Sequence, residues 1–381
     1  MERTLFEPEH DLFRESFRKF LDQHVAPNHA KWEEQGIVDR AVWLEAGKQG
    51  FLGMAVPEEF GGGGVRDFRY NAIVTEECVK GQYSGLGFSL HNDVVAPYLL
   101  ELANDEQKQR WLPKFCSGEI ITAIAMTEPG TGSDLQGIKT RAVRDGDDWI
   151  LNGAKTFITN GINADIVIVV AQTDPEKGAM GFSLLVVERG MAGFERGRNL
   201  DKLGLKAQDT AELSFTDVRV PGKNLLGTEG MGFIHLMHNL PQERLSIAVM
   251  AAAAMEGSLE MTCQYVRDRK AFGKPIGALQ NTRFVLAELA TKTTAVRIMV
   301  DRFIEDLNAG KLSAEDAAMA KWWSTEEQLD LVNRCLQLHG GYGYMKEYPI
   351  AKAYMDARIQ TIYGGTTEIM KEIIGRSLNL A

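Results

Sequence analysis

Cysteine is scarce in this chain, and its spacing fits neither a disulfide framework nor a zinc site. The 381 residues include only Cys78, Cys116, Cys263 and Cys335, and no two of them form a Cys-x-x-Cys pair. Small disulfide-stabilised domains are much richer in cysteine. We therefore expect four free, buried thiols in a reducing compartment, and no metal site.

Long apolar runs are absent as well. The longest uncharged apolar stretch, Leu245 to Met255, has 11 residues, whereas a helix needs about 20 to cross a bilayer. The first ten residues carry acidic side chains where a targeting peptide would be basic and then apolar. The sequence therefore predicts no membrane span and a cytoplasmic location.

Positive charge is not in excess. The 42 Lys and Arg residues are outnumbered by 52 Asp and Glu residues, so the net charge is -10. General nucleic-acid binders gain most of their affinity by neutralising phosphates with Lys and Arg. The sequence disfavours that class, although a local basic pocket for a phosphorylated small molecule stays open.

Motifs of the common nucleotide-binding and hydrolytic enzymes are also missing. No Gly-x-Gly-x-x-Gly follows a strand, and no Gly-Lys pair precedes Ser or Thr as in a P-loop. The chain has no Gly-x-Ser-x-Gly elbow and no His-Glu-x-x-His, and its seven histidines do not cluster. Rossmann dehydrogenases, P-loop ATPases, serine hydrolases and zinc proteases are therefore disfavoured.

The hydrophobic pattern changes twice along the chain. Residues 1–118 show helical spacing that begins at Pro8. Residues 119–228 contain short β-branched and aromatic runs separated by turn residues, and residues 229–381 are again helical, in long segments. The sequence thus predicts an α+β protein with an N-terminal helical domain, a middle β-barrel-like domain and a C-terminal four-helix bundle.

Breaker and capping residues indicate where elements begin and end. Asp105 is expected to cap the last helix of the first domain, and Pro241 to break or bend the first long C-terminal helix. The run Gly61–Gly64 is expected to be a flexible connection. The alternation slips between Phe215 and Val218, which a β-bulge would absorb.

Three segments have compositions that are unusual for scaffolding. Ile124–Asp134 leaves a strand as a loop rich in N–H groups and hydroxyls, which can hold a polar, planar or phosphorylated ligand. Arg267–Pro275 is a basic turn that can clamp a pyrophosphate. Tyr363–Glu368 places two glycines before the final helix, so a ligand can approach the backbone and phosphate is attracted to the helix start.

Each of these segments also has a plain structural interpretation. Gly, Ser and Asp are ordinary turn residues, and cations near a helix C-terminus offset its dipole. Thr366 or Thr367 can serve simply as an N-cap. Composition leaves both interpretations open.

Taken together and in this order, the segments resemble those of the acyl-CoA dehydrogenases, the FAD enzymes that desaturate acyl-CoA thioesters. The resemblance includes Phe157–Asn160, Arg269–Gly273 and Gln337–Gly341 and extends over nearly the whole chain. It implies an architecture of helical, β and helical domains, which the hydrophobic pattern predicts independently. It also implies FAD as the cofactor.

The resemblance implies a set of FAD contacts. Those at the flavin ring would be Ala125, Met126, Thr127, Gly132, Ser133, Phe157, Ile158 and Thr159. Those at the diphosphate and adenosine would be Arg269, Phe272 and Gln280, with Gln337, Gly340 and Gly341 from a neighbouring subunit. Thr366 and Glu368 would contact FAD at the start of the last helix. The acyl-CoA would contact Ser133, Arg244, Tyr363, Gly364 and Gly365.

One departure from the family pattern decides the expected catalytic base. Many members carry their catalytic glutamate where this chain has Gly364. The segment Asn239–Leu245 instead resembles the long-chain acyl-CoA dehydrogenases, which place a glutamate on that helix and keep glycine in the later loop. Glu243 is therefore the implied base, whereas an ordinary lone glutamate would be a surface carboxylate paired with Arg244 or Arg297.

By this resemblance Glu243 would remove the α-proton of the thioester while the flavin accepts the β-hydrogen as hydride, giving a trans-2-enoyl-CoA. The N–H of Gly364 would stabilise the developing enolate oxygen. Electrons would pass to an electron-transferring flavoprotein, and the chain would form a homotetramer, a dimer of dimers.

An acyl-CoA oxidase and a non-catalytic binding member of the same fold are the alternative functions. Ser84–Ser89 is expected to border the acyl pocket, and Gly364 and Gly365 leave room beside the acyl chain. Together they favour long or branched acyl groups.

Overall fold

The computed structural model describes residues 3–380, and its elements follow the predicted order of helices, sheet and helices. The change from helices to strands falls between Ser117 and Thr122, and the return to helices falls between Leu226 and Gly232. We keep 118/119 and 228/229 as the proposed domain boundaries. No helix among residues 3–380 combines the length and apolarity that a membrane span requires.

The N-terminal part contains six α-helices. Pro8 opens the first, where its missing N–H needs no partner. A π-helical turn, Leu90–Val95, leads directly into the fifth helix. The helices are α1 (Pro8–Phe20), α2 (His29–Gln35), α3 (Arg40–Lys48), α4 (Phe68–Lys80), α5 (Ala96–Leu102) and α6 (Asp105–Ser117).

The middle part is one eight-stranded sheet. Its strands are β1 (Thr122–Ala125), β2 (Arg141–Asp145), β3 (Asp148–Thr159), β4 (Ile166–Gln172), β5 (Phe182–Glu188), β6 (Phe194–Asn199), β7 (Thr210–Val220) and β8 (Leu225–Leu226). The order across the sheet is β6-β7-β3-β2-β4-β5-β8, and β1 pairs in parallel with β4. The β3–β7 register shifts between the Leu151–Val218 and Gly153–Phe215 pairs, so the predicted bulge before Val218 is confirmed.

The C-terminal part is dominated by three long helices whose apolar faces form one core, and Phe68 and Ala72 of α4 pack into the same cluster. Its helices are α7 (Gly232–Asp268), α8 (Gln280–Asn308), α9 (Ala314–His339), α10 (Pro349–Ala357) and α11 (Thr367–Ser377). A short hairpin of β9 (Lys270–Ala271) and β10 (Lys274–Pro275) joins α7 to α8.

Local predictions about helix ends need two corrections. The cap of α6 is Asn104, whose side chain accepts the Gln107 N–H; Asp105 is the first helical residue. Pro241 lies inside α7, which is a single helix of 37 residues, so the predicted break does not occur. Packing of α7 against the rest of the molecule holds the helix together on both sides of the proline.

Two further predictions are corrected by packing. In Gly61–Gly64 every N–H donates to a backbone carbonyl, so the segment is a hydrogen-bonded turn and not an open connection. All four cysteines are free, but only Cys116 and Cys335 are buried, whereas Cys78 and Cys263 are half-buried.

Candidate active site

Glu243 lies in the first half of α7 and is almost wholly enclosed, with 7% of its surface exposed. Its Oε1 accepts a hydrogen bond from the hydroxyl of Tyr98 at 2.9 Å. The surface-carboxylate alternative is therefore wrong, and Arg297 is engaged by Glu76 and Glu256 instead.

Burial decides the ionisation of this carboxyl group. Removal from water raises the pKa of Glu243 from its usual 4.5 to about 7, against the opposing effects of the Tyr98 hydrogen bond and the charge of Arg244. A carboxylate with a pKa near neutrality combines basicity with an appreciable ionised fraction, as general-base catalysis requires.

Glu243 stands where two cavities meet. One cavity is largely apolar and is lined by Ser84–Ser89, as predicted, and by Val79, Ile247 and Met250. The other is lined by the loop after β1, by the end of β3 and by α11. Five residues border both: Leu90, Ile124, Thr159, Glu243 and Gly364.

A buried ion pair between Lys155 and Glu128 supports the loop after β1 on the side away from the cavity. Nζ of Lys155 donates to the Met126 carbonyl and to Oε1 of Glu128, both at 2.9 Å. The Glu128 carboxylate also accepts the N–H groups of Lys139 and Thr140. This arrangement leaves the front of the loop free: Met126, Thr127, Gly132 and Ser133 line the cavity, and a Cβ at Gly132 would meet no atom within 4 Å.

The end of β3 presents an unusual aromatic side chain to the same cavity. Phe157 has a positive φ of 61° and is 68% exposed. The β3–β7 register shifts between Lys155 and Ile158, so a bulge turns this side chain out of the sheet. Ile158 and Thr159 line the cavity beside it, whereas Ala125 is buried in β1 and does not.

The Gly364–Gly365 turn, in the C-terminal part of the chain, forms another wall of the site. Both glycines have positive φ, at 63° and 98°. Nζ of the buried Lys321 donates to the Gly365 carbonyl at 2.7 Å, and Nε of Arg244 to the Gly364 carbonyl at 3.4 Å. Within residues 3–380 the N–H of Gly364 makes no hydrogen bond, so it is available to a ligand.

The start of α11 follows this turn. Thr366 is its N-cap and accepts the Ile369 N–H, as predicted for Thr366 or Thr367. Glu368 is exposed, and neither it nor Thr366 lines the cavity. Tyr363 borders the apolar cavity, and its hydroxyl donates to Gln360 at 2.8 Å.

Several cavity residues were not found by sequence reasoning. Most of them belong to α7 and α11, whose residue spacing gave no sign of which face borders a ligand cavity. They are Leu135 and Gln136 after β1, Phe233, Met237 and Leu240 on α7, and Ile369, Glu372, Ile373 and Arg376 on α11.

A second group of predicted residues lies elsewhere. Arg269, Phe272, Gln280, Gln337, Gly340 and Gly341 are exposed and line neither cavity. The structure brings the two segments of this group together: the Arg269 guanidinium lies 5.4 Å from the Tyr342 ring centre. The Tyr265 hydroxyl also donates to the His339 carbonyl at 3.1 Å.

The two groups are far apart in the chain's own structure. Glu243 and Arg269 lie on one unbroken helix and its C-cap. At 1.5 Å per residue the separation along the axis is about 39 Å.

Comparisons with known proteins agree along the whole chain. Family models described as acyl-CoA dehydrogenase N-terminal, middle and C-terminal domains match residues 7–119, 123–218 and 230–379. The chain is 53% identical to the long-chain specific acyl-CoA dehydrogenase, mitochondrial, of Sus scrofa, over 99% of this chain and 88% of that protein.

Two solved structures show the same similarity in three dimensions. The acyl-CoA dehydrogenase from Geobacillus kaustophilus has a TM-score of 0.97 and 51% identity, covering 98% of this chain and 99% of that one. A glutaryl-CoA dehydrogenase from Mycobacterium smegmatis in complex with FADH2 has a TM-score of 0.90 and 30% identity, covering 98% and 95%.

Proposed function

Because the chain belongs to the acyl-CoA dehydrogenase family of FAD-dependent oxidoreductases, we propose that it converts a long-chain fatty acyl-CoA to the trans-2-enoyl-CoA, with Glu243 as the base. The observation that carries this proposal is the enclosed carboxylate of Glu243 at the junction of two cavities, with its pKa raised to about 7. A non-catalytic binding protein of this fold would have no need for such a group.

The residues of the second cavity fit a flavin. The exposed ring of Phe157 and the open space at Gly132 offer a flat apolar surface, and Thr127 and Thr159 add hydroxyls. Met126, Ile158 and Ser133 complete this surface, and we propose that Ala125 supports it from within β1. Bound FAD would supply the acceptor for the hydrogen that leaves the β-carbon as hydride.

The chain's own residues perform the remaining steps. Glu243 accepts the α-proton, and the unpaired N–H of Gly364 donates to the thioester oxygen as negative charge develops there. Arg244 and Lys321 hold the carbonyls of the Gly364–Gly365 turn, so that this N–H keeps its direction. Ser133, Tyr363 and Gly365 are assigned to the walls around the acyl-CoA.

The apolar cavity supports a long acyl chain as substrate. It shares Val79, Ser84, Leu205 and Met250 with a further chamber, which continues along α7 past Ala254 and Gly257. A Cβ at Gly257 would meet no atom within 4 Å. The space beyond Glu243 therefore extends over several helical turns, and the similarity to a long-chain specific dehydrogenase points in the same direction.

The separation of the two residue groups supports a shared cofactor. We propose that Arg269, Phe272, Gln280, Gln337, Gly340 and Gly341 of one subunit hold the diphosphate and adenosine of an FAD whose flavin lies in the neighbouring subunit. Thr366 and Glu368, at the start of α11, are assigned to the same FAD. Two subunits are then the smallest functional unit, and a homotetramer made as a dimer of dimers is the proposed assembly.

The proposed electron acceptor is an electron-transferring flavoprotein. The Sus scrofa and Geobacillus kaustophilus relatives are named dehydrogenases, which favours a protein acceptor over the oxygen used by an acyl-CoA oxidase. We expect such a flavoprotein to reoxidise the reduced protein, and air to reoxidise it only slowly. Rapid reoxidation by air would identify an oxidase.

A cytoplasmic location also remains part of the proposal, although the Sus scrofa relative is named as mitochondrial.

The decisive experiment is replacement of the base. Glu243→Gln keeps the size of the side chain but cannot accept the proton, so flavin bleaching by a long-chain acyl-CoA should slow by about 10² to 10⁴-fold. Rapid anaerobic mixing measures the rate, and titration with a non-reacting thioether analogue should show little change in binding. Glu260→Gln, an exposed carboxylate on the same helix, should keep the parental rate.

Retention of the parental rate by Glu243→Gln would remove Glu243 as the base. The search would then turn to Glu368, the carboxylate nearest in sequence to the Gly364–Gly365 turn.

A further inference from the structure

Tyr98 reaches the carboxylate of Glu243 from a different part of the chain. Its hydroxyl donates to Oε1 of Glu243 across 145 positions of sequence. The tyrosine is fully buried, and its neighbours in the core include Val95, Leu99 and Leu236. A phenylalanine would fill that apolar site without a hydroxyl to desolvate, so packing alone does not explain a tyrosine here.

The segment that carries Tyr98 is fastened to α7 on both sides of the base. Asp93, in the π-helical turn before α5, accepts the hydroxyl of Ser246 on Oδ2 and the side-chain amide of Gln242 on its backbone carbonyl. Asn71 of α4 donates to the other carboxylate oxygen of Asp93 at 2.7 Å. Positions 242, 243 and 246 of α7 thus all bond to the segment from Asp93 to Tyr98.

The two carboxylate oxygens of Glu243 have different hydrogen-bonding environments. Oε1 is held by Tyr98, whereas Oε2 has no hydrogen-bond partner within residues 3–380. We propose, on the basis of the function proposed above, that Tyr98 is a positioning residue: its hydroxyl fixes Oε1 so that Oε2 receives the α-proton.

The hydrogen bond also acts on the charge of the base. A donor stabilises the ionised carboxylate more than the neutral acid, so it opposes the effect of burial on the pKa of Glu243. Arg244, on the same helix, acts in the same direction. The elements around the site also carry other titratable groups, none of which is hydrogen-bonded to Glu243: Cys78, Tyr83, Asp93, Glu101, Asp134, Lys321, Tyr363, Glu372 and Arg376.

The test is the pH dependence of flavin reduction in the Tyr98→Phe holoenzyme. Loss of the donor should move the acid limb of the rate profile upward by about one pH unit and lower the rate at neutral pH about five-fold. Affinity for the non-reacting thioether analogue should change less than two-fold. Tyr70→Phe, which removes a hydroxyl that makes no hydrogen bond within residues 3–380, is the matched control and should keep the parental limb.

A second variant keeps the proposal testable if Tyr98→Phe fails to fold. Fluorinated tyrosine incorporated at position 98 is a stronger donor and should move the acid limb downward. An acid limb at the parental position in the folded variant overturns the role of Tyr98. If Glu243→Gln loses flavin reduction while Tyr98→Phe keeps the parental profile, only the Tyr98 assignment fails; if Glu243→Gln reduces normally, the base assignment fails with it.

Discussion

Burial of Glu243, the proposed base, lowers the stability of the folded protein at neutral and higher pH. The folded protein encloses a carboxyl group whose pKa is raised from 4.5 to about 7 by burial. Between these values the folded state binds more protons at this site than the unfolded state does. The contribution of Glu243 to stability is therefore most favourable at low pH and is lost as the pH rises through about 7.

We predict that Glu243→Gln is more stable than the parent protein at pH 8. The amide stays neutral and can still accept the hydrogen bond of Tyr98, so it avoids the cost of burying a charge, which is about 3 kcal/mol for this pKa difference. Near pH 4.5 the advantage should vanish. Thermal unfolding of the two holoenzymes at both pH values measures the effect, and a variant less stable than the parent at pH 8 would contradict it.

At the scale of one element, helix α7 carries both the proposed base and residues that line the space proposed for the acyl chain. Glu243, Ile247 and Met250 border the apolar cavity, and Ala254, Gly257 and Met261 follow on the same face toward the further chamber. From Glu243 to Gly257 the helix rises about 21 Å. Because base and chamber share one rigid helix, the distance between them is set by the backbone.

We predict that Gly257→Leu shortens the preferred acyl chain. The new side chain enters open space, since a Cβ at this position meets no atom within 4 Å, so the helix should tolerate it. Activity with long-chain acyl-CoA should fall about ten-fold or more while activity with short chains stays near the parental value. A panel of saturated acyl-CoA substrates of increasing length measures this selectivity.

Gly257→Ala is the control for that experiment. It adds one methyl group and should stabilise the helix by about 0.5–1 kcal/mol with no change in chain-length preference. Equal losses for short and long substrates in Gly257→Leu would show that the chamber does not receive the acyl chain.

At the scale of the whole molecule, the two ends of α7 carry residues with different proposed roles: the catalytic base at one end and contacts to the FAD diphosphate at the other. The enclosed base is near its start, and the exposed Arg269 hairpin is at its end. Exposed glycines at 340 and 341 and the 91% exposed Phe272 lie on that end and line neither of the two cavities at Glu243. An assembly of subunits would supply the missing surroundings.

We predict that two defective subunits can complement each other. Glu243→Gln lacks the base and Arg269→Ala lacks a cation for the diphosphate, so each homo-oligomer should be impaired. In a mixed oligomer one site combines the intact Glu243 of one subunit with the intact Arg269 of the other, and activity should exceed that of either variant alone. Co-expression with two affinity tags isolates the mixture; activity at or below the average of the two homo-oligomers would place both groups at the same FAD within one subunit.

Local features of the chain were sufficient to predict the element order, the bulge before Val218 and an N-cap at Thr366 or Thr367, because spacing, β-branching and capping act within a few residues. The motifs around Ile124 and Gly364 likewise indicated the family, and Ser84–Ser89 was correctly placed at a cavity.

Long-range contacts decided the rest. Whether Glu243 is a surface carboxylate or an enclosed one depends on contacts such as that with Tyr98, 145 residues away. The direction of the Gly364 N–H depends on Arg244 and Lys321. Pro241 could stay inside α7 only because packing outweighed its local cost. Burial and electrostatic environment are properties of the assembled fold, so residue spacing alone could not determine the state of the base.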